Sequence, residues 1–468
     1  MYREELNREE SNHHLNLIKR FEDMVVQNKS IYFDSDDLEI ILDHYHLNNQ
    51  NEYIQIALNL SEKLFPFSTS LRLKKAQILI SMDKLEEAKI ILEKIKPLSL
   101  NNEDFDFTMS VVYSRQSKHK EAITILEKLF FKDPSNLEVI SSLANEYQCI
   151  NDHLSSCRMI EKLIQLEPQN DLYWYSYYLS SELIDINKRN LYFTKSILEN
   201  DPYCLLAWFY LGLFYQKNDN HLKAIEAFDY AILIDEKYTR SYSHKSESLS
   251  EVGLYQQAIN CCFESMKFEE PNCNTYFELG EYHKQLNKLE KALVYFYKAI
   301  RKDSTFSDAW FSISQILDDQ GNHLESLYHI KQAYKEDSTN LDILFFYAEM
   351  HEKVGFIKEA EIAYKKVLEF DNKDYESWLN YTNILYQQES LNEAIDSLYE
   401  AIDYNPKNAK LIFRLSAYLL KIGDETKGTT LFENALKINY DLHKELFEYM
   451  PSIKNNKNLL NLLDNFKK

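Results

Sequence analysis

Glycine and proline are scarce in this chain, 7 and 8 among 468 residues. So few turn-forming residues exclude a loop-rich or all-β fold and leave helices as the main building element. Positive charge is also short. Lys and Arg number 53 against 74 Asp and Glu, a net charge of −21, and the pI is near 5.1. Phosphate binding needs a basic stripe, so this balance argues against nucleic acid and anionic membrane as partners and favours a cationic one. The six cysteines (Cys149, Cys157, Cys204, Cys261, Cys262, Cys273) contain no C-x-x-C pair. Their scatter points to reduced thiols in a cytoplasmic protein, not to a disulfide framework. The longest apolar run, Tyr203–Tyr215, is too short to span a bilayer. The start, MYREELNREESNHH, is polar and acidic, unlike a signal peptide.

What the chain does contain is a repeat. Leu205–Glu236 sets Trp208, Leu211, Gly212 and Tyr215 at W-x2-L-G-x2-Y spacing, then Ala224, Phe228 and Ala231 at A-x3-F-x2-A spacing. The same phase runs without insertion from Ser35 to Leu442 as twelve segments of 34 residues. All four tryptophans (Trp174, Trp208, Trp310, Trp378) fall on segment position 4. Five prolines (Pro66, Pro134, Pro168, Pro202, Pro406) fall on position 32, where a helix must end because Pro lacks an N–H. Every glycine falls on position 8, 15 or 20. Position 15 reads as the turn between two helices, where Gly, Asn or Asp adopts a left-handed conformation most easily. Positions 8 and 20 read as the crossing point of the two helices, which must be small. Two segments depart from this in pairs: Leu42 with Ile54, and Tyr178 with Asn190. Those helix pairs are expected to cross differently.

This pattern resembles the tetratricopeptide-repeat (TPR) family over about nine-tenths of the chain. The resemblance implies an all-α fold, a right-handed superhelical TPR solenoid of antiparallel helix pairs. Residues 1–34, with Leu15, Ile18, Phe21, Met24 and Val25 at helical spacing, are expected to cap one end. Residues 35–442 form the twelve units. Residues 443–468 supply two short capping helices through Leu446, Phe447, Met450, Leu459, Leu460, Leu462, Leu463 and Phe466.

The family's implied function is protein binding in a concave groove lined by positions 2, 5, 9 and 12 of each first helix, with no chemistry performed. Here position 5 carries Phe107, Tyr175, Phe209, Phe277, Phe311, Phe345 and Phe413, and position 9 carries Glu247, Glu281, Gln315 and Glu349. An aromatic ladder beside acids and amides suits a segment with apolar anchors and Lys or Arg. The same ladder also reads as packing between neighbours. The family's carboxylate-clamping subtype needs Lys or Arg at position 5, where Phe277, Phe311 and Phe345 stand, so that mode is not expected. Asp171–Tyr215 is unusual, with Tyr178 at a small-residue seat and Leu206, Phe209 and Leu213 making an apolar groove face. That face implies a partner site or, as the alternative, self-association into a homodimer.

Neither cofactor nor metal is expected. His119, His153, His221 and His323 all occupy position 17, where other units place Leu or Tyr, and read as structural. His44 and His46, two apart on a helix, point to different faces. No nucleophile elbow or phosphate loop is present, and every glycine is already used by the repeat.

Overall fold

The computed structural model describes residues 2–27, 30–99, 102–184 and 187–466, without the side chains of 2–12, 187 and 465. Among the described residues the fold is all-α. After a long first helix, Tyr2–Gln27, helices come in pairs. The first member of each pair begins at Ser35, Thr69, Glu103, Leu137, Asp171, Leu205, Thr239, Cys273, Ser307, Leu341, Tyr375 and Ala409, a spacing of 34 throughout. The chain divides into two compact bodies, residues 1–236 and 237–468. Pairs one to six lie in the first body and pairs seven to twelve in the second.

Three local devices set this spacing. The turn inside each pair is closed by one residue with positive φ. Asn49, Asp83, Ser117, Asn151, Asp219, Asn287 and Glu389 adopt it at 53° to 63°, and Gly253, Gly321, Gly355 and Gly423 at 77° to 92°. These are position 15 in eleven pairs; the twelfth, position 185, lies outside the described residues. The start of nine of the twelve first helices is capped by a side chain from the position just before it, position 34 of the repeat. The side chains of Asp34, Ser68, Asn102, Asn136, Asn170, Asn272, Asn340, Asp374 and Asn408 accept bonds from backbone N–H groups of the first turn. Finally, each tryptophan locks its helix to the preceding connection. Trp174, Trp208, Trp310 and Trp378 donate their indole N–H to the carbonyls of Pro168, Pro202, Ser304 and Asn372, at 2.8, 2.9, 2.9 and 3.0 Å. The coincidence of Trp at position 4 with the helix stop at position 32 is therefore one interaction.

Within a pair, a small residue at position 8 admits an aromatic ring from position 24. A Cβ on Gly212 would stand 2.4 Å from Phe228 Cε1, and one on Gly280 2.4 Å from Phe296 Cε1. The same ring at position 24 meets the aromatic at position 5. Phe209–Phe228, Phe277–Phe296, Phe345–Tyr364 and Phe413–Phe432 have centroids 5.9, 5.5, 5.8 and 5.3 Å apart.

In the fifth pair Trp174 and Tyr177 pack on Phe193, with ring centroids 6.2 and 5.3 Å apart. Beside these rings stands a polar cluster. Asn190 is fully buried and accepts a bond from the Tyr177 hydroxyl at 3.0 Å. That hydroxyl also bonds Glu161, which holds Arg189 through contacts of 2.8 and 2.6 Å. Tyr178 turns to the next pair, against Tyr210 and Phe214.

At the chain's beginning Leu17, Ile18 and Phe21 are buried against Phe33, Leu38 and Tyr45, with Met24 and Val25 beside them. Leu15, expected on this apolar face, is 67% exposed; Leu17 holds its place. At the other end Leu446, Met450, Leu459 and Leu463 are buried on the last pair, with Phe447, Leu462 and Phe466 packed around them. Leu460, expected among them, is exposed.

Candidate functional site

The two bodies present different surfaces at the positions expected to face a ligand. In the second body, position 5 carries three partly buried rings, Phe277, Phe311 and Phe345. One side of each is spent on packing. Phe277 meets Phe296 and Phe306, Phe311 meets Phe346 at 5.6 Å, and Phe345 meets Tyr364. Phe413 is buried at 2% exposure and serves packing alone.

Position 9 runs beside these rings and links each first helix to the next. Glu281 accepts a bond from the Ser312 hydroxyl at 2.9 Å, and Gln315 accepts one from Lys284 Nζ at 3.1 Å. Glu352, at position 12, accepts from Asn383 Nδ2 at 3.2 Å. Asp318, also at position 12, pairs with Lys353 at 2.7 Å. Glu247 is exposed.

Negative charge is crowded along this face. Burial, then the charges of Asp318, Glu352 and Glu376 working against Lys353, holds the Glu349 carboxyl above the usual carboxylate range. Burial pushes Glu278 up to about 7, and the neighbouring Glu247 charge adds to the shift. Beside Phe345 lies a cavity of about 300 Å³ lined by Leu341, Val367, Asp342, Asp371, Asp374 and Glu376. No Lys, Arg or His is among its lining residues. Asp342 and Glu376 stand at position 2, so the 34-residue phase already marked them as groove residues.

In the first body the expected residues fare differently. Phe107 is partly buried. Leu206, Phe209 and Leu213 are buried at 5%, 0% and 7% exposure, so the apolar face expected there is not open to a partner. Tyr175 is 50% exposed. It belongs to a stripe that position-by-position reading did not single out. Leu172, Leu179 and Leu183 continue it at spacings of three and four residues along one face, each exposed by 43% or more.

Two of the histidines at position 17 meet carboxylates. His119 Nδ1 lies 2.8 Å from buried Glu146, and His323 Nδ1 lies 2.8 Å from Asp318. His46 reaches the Ser81 hydroxyl at 2.7 Å. Among the described residues no three His, Cys, Asp or Glu side chains are grouped to hold a metal ion, and no helix is long and apolar enough to cross a membrane.

Comparison with known proteins agrees with this architecture. The family model for the N-terminal TPR repeats region of Psidin matches residues 39–192, and a tetratricopeptide-repeat model matches residues 274–304. The TPR repeat-containing protein YpiA of Bacillus subtilis is 22% identical over 382 residues, covering 81% of this chain and 89% of that protein. Anaphase-promoting complex subunit 7 of Dictyostelium discoideum is 26% identical over 197 residues, 40% of this chain and 32% of the subunit. Among solved structures, the C-terminal part of a TPR repeat-containing protein from Cytophaga hutchinsonii covers 55% of this chain and 99% of its own, at 16% identity and a TM-score of 0.46. The matched family models and the regular 34-residue helix pairs support a tetratricopeptide-repeat protein.

Proposed function

We propose that this protein is a non-catalytic scaffold of twelve TPR units, closed by the helices at residues 1–34 and 443–468. In this reading it acts in the cytoplasm and binds a protein segment bearing cationic and apolar side chains along pairs eight to eleven. TPR proteins bind protein or peptide partners, and the Dictyostelium relative is by name a subunit of a larger complex. The observation that carries the reading is the cavity at Phe345. Four carboxylates line it together with Phe345, Leu341 and Val367, and no cation is among the lining residues. A Lys or Arg side chain entering it gains ion pairing and a ring face together.

The test uses exposed residues so that the fold is retained. Asp342→Lys combined with Glu376→Lys reverses the cavity's charge. Binding of labelled peptides that alternate Lys or Arg with aromatic residues should fall by at least about tenfold, and wild-type affinity should drop steeply with added salt. Equal affinity for both proteins at low salt would refute the site.

A second reading, self-association, is favoured by one feature. The exposed stripe Leu172, Tyr175, Leu179 and Leu183 is an apolar helix face of the kind a second copy covers. Sedimentation velocity over a hundredfold concentration range, comparing wild type with Tyr175→Lys, decides between a monomer and a dimer built on this stripe.

A further inference from the structure

A second accessible surface lies in the first body, on the side of helix Leu205–Lys217 opposite the groove positions. Leu206, Phe209 and Leu213 fall on one face of this helix. Trp208, Leu211 and Tyr215, at spacings of three and four, fall roughly half a turn away. On that outer side the helix and its neighbours, Asn187–Asn200 and His221–Ile234, enclose a cleft of about 560 Å³. This lies within the roughly 300–1,000 Å³ typical of ligand sites.

The cleft has an aromatic wall and two cations. Trp208 stacks on Tyr230 with centroids 4.3 Å apart, and Tyr230 remains 51% exposed. Lys195 and Lys223 come from the two flanking helices and converge on one ring. Each ammonium lies 5.7 Å from the centroid of Tyr215, so the two cations are no more than twice that distance apart. Among the described residues neither has an ion-pair partner within 4 Å, although Glu199 and Glu226 stand one turn along the same helices. The lysines lie over the tyrosine instead of reaching for these carboxylates. Two like charges held on one ring, with Glu199 and Glu226 on the same lining but not bonded to them, form a seat for an anionic group. The two glutamates at the rim limit that seat to a single carboxylate and disfavour a polyanion such as nucleic acid.

We propose that this outer cleft is a second docking site, taking an acidic protein segment in which an Asp or Glu lies beside an aromatic or large aliphatic residue. The carboxylate sits between Lys195 and Lys223, and the apolar side chain lies against the exposed face of Tyr230. The site differs from the acidic cavity at Phe345 in its residues, since two lysines stand on its lining and none on that of the cavity. One chain could thereby join a cationic segment to an acidic one.

The experiment is selection from a random peptide library displayed on phage, using the full-length protein. The four baits are wild type, Lys195→Glu combined with Lys223→Glu, Tyr230→Ala, and the groove variant Asp342→Ala combined with Glu376→Ala. Both lysines are exposed, so the charge reversal leaves the fold intact, as circular dichroism will verify. Wild type and the groove variant should both enrich a peptide family with an acidic residue within two positions of an aromatic. The lysine reversal should reduce that enrichment at least about tenfold, and Tyr230→Ala should reduce it partly. Failure of wild type to select an acidic family would overturn the proposal. So would retention of that family by the lysine-reversed protein. A cationic family lost only from the groove variant reports on the other site, so the two can fail separately.

Discussion

Replacing Gly212 tests the packing rule on which the whole array rests. A Cβ at this position would lie 2.4, 2.7 and 2.7 Å from three carbons of the Phe228 ring. Ordinary carbon contacts are about 3.5–4.0 Å, so the ring must retreat by about 1 Å. It has little room to do so. Phe228 is fully buried, and the fully buried Phe209 ring packs against it at 5.9 Å. Overpacking of this kind costs about 1–3 kcal/mol. Alanine recovers about 1 kcal/mol of helix propensity over glycine, so Gly212→Ala should destabilise by about 1 kcal/mol. Gly212→Leu places three further carbons in the same space and should exceed about 2 kcal/mol. In the first body, about the size for which 1 kcal/mol moves the midpoint by 2–4 °C, the two variants should separate in thermal melting. Hydrogen exchange of residues 205–234 should localise the effect, since repeat arrays need not unfold in one step. Phe228→Leu in the Gly212→Ala background should return part of the loss, a coupling of about 0.5–3 kcal/mol. If Gly212→Leu melts like wild type, or if the double variant shows no coupling, position 8 is not small for the reason given.

Glu389 holds a positive φ of 63° where other turns use Gly; Glu389→Gly should raise stability by about 1 kcal/mol, measured by urea midpoint. Glu278 binds its proton more tightly in the folded state, up to about pH 7, than in the unfolded chain near 4.5. Its burial therefore opposes folding increasingly as pH rises across that interval. Glu278→Gln should flatten the decline of melting temperature between pH 5 and 7, and a slope unchanged from wild type would exclude the assignment. Removing the partner of Glu161 by Arg189→Met leaves a largely buried carboxylate with only the Tyr177 hydroxyl. The loss should be about 2 kcal/mol, below the range for a fully buried pair because the Arg189 side chain is 35% exposed.

The fold was legible because its signals repeat. Pro at position 32, Trp at position 4 and Gly at position 15 each recur, and each has a single backbone cause. The Asn, Asp and Ser caps at position 34 were equally present in the sequence, in nine of twelve pairs, and supply a bond that the first turn of a helix cannot make within itself. Surface exposure was less legible. Leu206, Phe209 and Leu213 sit at groove positions, yet the folded chain buries them, because period alone cannot say what lies across from a helix face. Phe277 and Phe345 show the same limit. One face of each ring is already occupied by the ring at position 24, so both the packing and the docking readings describe part of the residue. The cavity at Phe345 depends on Asp371 and Asp374 from a connection between pairs, which no helical period assigns to the groove.

The fifth pair has a mechanical consequence. In a linear array each unit is held only by its neighbours, so strength under tension is set by the weakest joint and not by the average. Most joints here are apolar contacts between closely approaching helices. The fifth adds to its ring contacts a polar set, Tyr177 with Asn190 inside the pair and Arg189 with Glu161 of the pair before it, whose bonds are short-ranged and break over a small extension. Stretched between its ends, as by two bound partners moving apart, the first body should part at residues 171–200 before its other pairs yield. The scaffold would then lengthen at a fixed point while leaving the acidic groove of the second body intact.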